Sequence, residues 1–86
     1  MSADLPSPEA VRAAITALAA TELALRGPLP EGDLSEALDS VQRLALVVAI
    51  EDHFRIAFEP EDDEGARTLD DVVRIVRARL AGGADG

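Results

Sequence analysis

Three stretches of this chain repeat apolar residues at intervals of three and four, and none alternates apolar and polar side chains for long enough to make a sheet. Val11, Ile15, Leu18 and Leu25 mark the first. Leu46, Val47, Ile50 and Phe54 mark the second, and Leu69, Val72, Val73, Val76 and Leu80 the third. This pattern predicts an all-α fold. The 86 residues make one domain, 1–86. A chain this short buries only about 60–65% of the surface it exposes when unfolded, so its core is thin and leaves no room for a deep, water-excluded catalytic pocket.

The helix boundaries are written in the punctuation. Ser7-Pro8-Glu9 is a helix start, with a capping hydroxyl, a proline in the first turn and an acid facing the dipole. The first helix is predicted over 8–25, stopping at Gly27-Pro28. A long connection, 26–38, follows. Its Leu29, Leu34 and Leu38 predict that it is pinned to the core, with a turn inside 33–38. The second helix opens at Asp39-Ser40 and spans about 40–55, and residues 56–58 then read as extended. Residues 59–66 offer only Ala66 for burial, so they are expected to form at most a short, weakly ordered helix at 61–66. Thr68 and Asp71 form an approximate capping box for the last helix, 69–80. Residues 1–6 and 81–86 read as flexible ends.

The formal net charge is −9, and all of the imbalance lies in residues 31–64, where eleven acids face only Arg43 and Arg55. Such a field repels phosphate backbones and anionic lipids and favours encounter with basic protein surfaces. Neither nucleic acid nor a membrane is therefore an expected partner. The chain has no Cys and a single His, which leaves little material for a zinc site or a catalytic dyad. Met1-Ser2-Ala3-Asp4 lacks the basic-then-apolar pattern of a secretory leader, and the apolar run 44–50 is far shorter than the roughly 20 residues that span a bilayer. A cytoplasmic monomer is expected.

The second helix has two apolar arcs when drawn at about 100° per residue. Leu46, Val47, Ile50 and Phe54 form a core stripe. On a second arc Val41, Leu44 and Val48 mix with Glu51 and Asp52, a combination of contact area and steering charge suited to transient docking. Periodicity alone leaves open whether neighbouring helices cover this arc. Ser40 stands at the N-terminus of the helix, where unpaired N–H groups and the dipole favour an attached phosphodiester, and Asp39 precedes it. By themselves the two residues read far more readily as a plain N-cap. His53 lies thirteen residues on, about 20 Å along the axis, too far to activate Ser40 as a hydrolase nucleophile.

Leu38-Asp39-Ser40-Val41, then Leu44, Val48, Ile50-Glu51-Asp52, Phe54, Ile56 and an acidic segment, resembles the acyl carrier proteins. Their signature is Asp-Ser-Leu opening a long helix that ends in Glu-x-x-Phe-x-Ile. The likeness runs without a gap from about Leu34 to Val76. It implies an acyl-carrier-type four-helix bundle that is not itself an enzyme. Ser40 would carry 4′-phosphopantetheine, with Asp39 beside it, and the arm's thiol would hold acyl intermediates for fatty-acid-like or polyketide biosynthesis. The implied partners are a phosphopantetheinyl transferase and acyl-processing enzymes such as a ketosynthase, an acyltransferase or an acyl-ligase. Val41, Leu44, Val48, Glu51 and Asp52 would meet them.

The chain departs from the family pattern at several positions. Val41 replaces the usual Leu, Gln42 and Ala45 stand where acids are common, and Ala66 is small where a larger apolar residue anchors the third helix. Arg43 falls on the core side of the wheel, its stem expected across the mouth of any acyl pocket with its charge reaching water. These departures point to a dedicated, secondary pathway. The alternatives are an aminoacyl or peptidyl carrier, although the Gly-Gly-x-Ser motif of peptidyl carriers is absent, and a non-carrier helical adaptor.

Overall fold

The computed structural model describes residues 5–24, 29 and 32–82. It is mostly helical: α1 (Pro8–Glu22), α2 (Ser40–Phe54), α3 (Pro60–Gly65) and α4 (Leu69–Gly82), with a 3₁₀ turn at Leu34–Glu36 before α2. Among the described residues there is no strand, only an isolated antiparallel bridge between Asp33 and Thr68. No described helix is long and apolar enough to cross a membrane.

The helices start where local chemistry satisfies their orphan amides. The Ser7 hydroxyl accepts from the Ala10 amide at 3.1 Å, and Pro8 occupies the first turn, where no N–H is missed. At α4 the box closes in both directions: the Thr68 amide donates to Asp71 Oδ2 at 3.2 Å and the Asp71 amide to Thr68 Oγ1 at 3.1 Å.

Two helix ends differ from expectation by two residues or more. α1 stops at Glu22 rather than near Leu25, because Ala24 turns to a positive φ of 55°. Leu25 and Gly27-Pro28 lie outside the described residues, as do residues 1–4 and 83–86 of the expected flexible ends. α4 continues through Ala81 and Gly82, two residues past its expected end. Near the other end of the chain, the Pro6 carbonyl accepts from Arg77 Nε of α4 at 3.1 Å.

The core is one cluster. α1 contributes Val11, Ile15 and Ala19, α2 contributes Leu46 and Ile50, and α4 contributes Leu69, Val72, Val73 and Val76. Ile15, Ile50, Val11 and Val76 are the largest fully buried side chains, each worth about 1.5–3 kcal/mol of burial. α1 lies between α2 and α4 and touches both. Leu29, Leu34 and Leu38 are buried in the same cluster, so the long connection is pinned as its leucines predict. The Leu34 amide also donates to the Arg67 carbonyl at 2.7 Å, tying that connection to the start of α4. Phe54 is only half-buried and packs against the core from its edge.

α3 buries none of its side chains, while Ala66 just after it is buried. Polar contacts hold α3 instead. Asp62 Oδ2 accepts from the Glu59 amide at 2.8 Å and from Arg79 Nε of α4 at 2.7 Å. The segment expected to be weakly ordered is thus tied to α4 through Asp62, by a link that an apolar count along the sequence does not register.

Candidate functional site

Asp39 and Ser40 have separate roles in the structure. Asp39 is the N-cap of α2: its Oδ1 accepts from the Gln42 amide at 2.8 Å, and Gln42 Oε1 accepts from the Asp39 amide at 3.0 Å. This is a capping box, and its signal, Asp39 followed by Gln42 at the third position, is present in the sequence. Ser40 is the first helical residue and is exposed. Its hydroxyl makes no hydrogen bond among the described residues, so it is not consumed by capping. The box takes the amides of Asp39 and Gln42. Those of Ser40 and Val41 have no partner among the described residues and lie at the positive end of the α2 dipole.

Beside Ser40 lies an open-sided hollow of about 530 Å³. Leu34, Leu38, Leu44, Leu46, Val47, Ile50, Ala66 and Val72 make its apolar wall, and Asp39, Arg43, Asp63 and Glu64 its charged parts. Leu34 and Leu38 of the long connection and Asp63, Glu64 and Ala66 around α3 therefore belong to the same site as Ser40, a juxtaposition that spacing along the chain does not reveal. Arg43 is half-buried at this hollow. Its Nη2 donates to the Ala66 carbonyl at 3.2 Å, so the guanidinium spans from α2 to the α3–α4 junction instead of extending only into water.

The second arc of α2 is uncovered. Val41 is 76% exposed, Leu44 65% and Val48 54%, three large apolar side chains on one helix face. Together with Leu18, Glu22, Ala45, Ala49, Asp52 and His53 they line an open groove of about 680 Å³ between α1 and α2. Leu18, Glu22 and His53 are groove residues that sequence reasoning did not assign to this surface. Of α1, Leu18 and Glu22 reach this groove, and Val41, Leu44 and Val48 remain exposed.

Glu51 is placed differently from the other acid of that arc. Asp52 is exposed in the groove. Glu51 is half-buried, its Oε2 accepts from the Phe58 amide at 2.7 Å, and its backbone carbonyl accepts from the Ile56 amide at 3.1 Å. The side chain thus anchors the turn after α2. Its charge still contributes to the local field, but its carboxylate is held at the helix end.

Two carboxylates are held below their ordinary range. For Asp33 the cause is hydrogen bonding from the Ser35 amide and hydroxyl. For Asp71 burial pushes upward, but the bonds from Thr68, Arg74 and Arg67 together outweigh it. Both support the scaffold: Asp33 caps the 3₁₀ turn and Asp71 starts α4.

Compared with known proteins, the chain matches no family model, no curated protein and no solved structure at a significant level.

Proposed function

We propose that this chain is a carrier domain with an acyl-carrier-type four-helix bundle, in which Ser40 is the attachment point for 4′-phosphopantetheine. The observation that carries the reading is the state of Ser40: exposed, left free by the Asp39 cap, and on the rim of the largely apolar hollow. These residues fit such a group, since a phosphodiester on the Ser40 oxygen faces unpaired helix amides and an adjacent apolar wall. When attached, the group supplies a thiol that holds acyl chains as thioesters, which a cysteine-free chain lacks. In this reading the chain's own residues bind and present, and the chemistry belongs to partner enzymes. The Val41, Leu44 and Val48 face with Asp52 is the surface a transferase, ketosynthase, acyltransferase or acyl-ligase would meet, apolar area giving contact and charge giving steering.

The test is attachment itself. Incubation with a phosphopantetheinyl transferase and coenzyme A is expected to add one arm to the intact mass and one titratable thiol per chain, both lost in Ser40→Ala. A chain that never acquires the arm, under any transferase and in material from its native cell, would leave a non-carrier helical adaptor using the same apolar groove.

A further inference from the structure

The hollow beside Ser40 has one cation in its wall. Among the described residues that line it, Asp39, Asp63 and Glu64 are acidic and Arg43 alone is basic. Arg43 follows Ser40 by three positions in α2, a spacing that brings Cβ atoms to about 5–6 Å on one helix face. Its half-buried stem fixes where the guanidinium goes, and the bond to the Ala66 carbonyl occupies one of its five N–H donors. No carboxylate among the described residues forms an ion pair with it, although its charge is felt at Asp33, so the donors beyond the one given to Ala66 are left over.

A phosphodiester on Ser40 would add a negative charge to a segment, 31–64, that already holds eleven acids against two arginines. The other arginine, Arg55, lies fifteen residues away at the far end of α2, about 22 Å along the axis. Arg43 is the cation that shares the wall of the hollow with Ser40. A guanidinium suits the task, because its planar fork can meet phosphate oxygens with one edge while a further N–H keeps the carbonyl.

We propose that Arg43 is a positioning residue for the modified Ser40: its guanidinium bridges the phosphodiester and the Ala66 carbonyl, holding the root of the arm over the hollow between α2 and α3 and away from Val41 and Val48. This rests on the carrier reading above and assigns a role to a residue that departs from the pattern the chain resembles. It also accounts for a half-buried arginine whose guanidinium has, among the described residues, only a neutral carbonyl as acceptor.

The experiment compares the unmodified and arm-bearing forms of the parent, Arg43→Gln and Arg43→Lys, with the arm verified by intact mass. In the parent, attachment is expected to shift the Arg43 Nε–H resonance and slow its exchange with water. Melting of the parent is expected to change little on attachment. Arg43→Gln is expected to melt roughly 4–8 °C lower with the arm than without it, a displacement typical of losing one charged contact in a domain this size. Arg43→Lys, which keeps the charge without the fork, should show a smaller drop. An arm that attaches fully while the Nε–H resonance stays in place, with equal melting changes in parent and glutamine variant, overturns the role of Arg43 and leaves the carrier reading standing. Failure of the parent to take the arm overturns both. If the glutamine variant does not fold, the Nε–H signal and the lysine variant decide.

Discussion

Asp62 of α3 and Arg79 of α4 meet through a carboxylate oxygen 2.6 Å from Nη2 and 2.7 Å from Nε, with Asp62 only 15% exposed. This contact connects a six-residue helix that buries no side chain of its own to the helix that carries much of the core. Because α3 flanks the hollow beside Ser40, the pair helps to set the width of that site. Arg79→Ala or Asp62→Asn is expected to cost about 1 kcal/mol of global stability. The larger effect is local: amide exchange across residues 60–65 should accelerate well beyond that of α1 or α4. Unchanged exchange in α3 would show that the pair does not hold it.

Asp39 and Ser40 are adjacent, yet their substitutions should behave oppositely. Asp39→Ala removes the acceptor of the Gln42 amide and is expected to cost about 1 kcal/mol, as lost N-caps do. Ser40→Ala leaves the capping box intact and should melt within about 0.5 kcal/mol of the parent while abolishing arm attachment. Urea titration of both variants separates the two roles.

The exposed arc of α2 gives a third outcome. Leu44→Asp and Val48→Asp place a charge where the side chain already faces water, so stability should change by no more than about 0.5 kcal/mol. Turnover by partner enzymes, or the transferase rate at limiting chain concentration, should fall several-fold. A loss of several kcal/mol would mean that the arc is covered in solution.

The core stripe of the same helix predicts a graded pair. Ile50 is fully buried and its truncation to Ala should cost about 2–5 kcal/mol, a large share of what a small domain has. Phe54 packs from the edge with its ring against His53 at a centroid distance of 4.8 Å. Periodicity alone makes Phe54→Ala a core deletion of about 3–5 kcal/mol, whereas half-burial brings it nearer 2 kcal/mol. Chemical denaturation should rank Ile50→Ala at or above Phe54→Ala.

Acid should loosen the start of α4. Asp71 has a folded pKa lowered from 3.8, so it contributes stability that is fully present above that value and lost as the pH falls through the lower folded value. Asp71→Asn keeps the shape but not the titration. Its unfolding free energy should therefore depend less on pH than the parent's below about pH 4. Identical acid limbs in the two proteins would assign the acid sensitivity elsewhere.

What the sequence determined by itself was whatever a helix decides within one or two turns. Ser7-Pro8, Thr68 with Asp71, and the apolar spacing of Val11, Ile15, Leu46, Ile50, Leu69, Val72 and Val76 placed the starts of α1 and α4 and the inner faces of the long helices, because caps and 3.6-residue periodicity act between near neighbours. The end of α1 was not legible, since Ala24 takes a left-handed conformation that the residue type does not announce. Only the tertiary structure decided which faces are covered and what the polar groups meet. It left Val41, Leu44 and Val48 open, turned Glu51 onto the Phe58 amide, tied Asp62 to Arg79, and carried Arg43 across to the Ala66 carbonyl beside Ser40. The physical reason is range. Periodicity fixes the direction in which a side chain leaves its helix, but the partner in that direction comes from a segment 7 to 23 residues away, and only packing of the whole chain brings the two together.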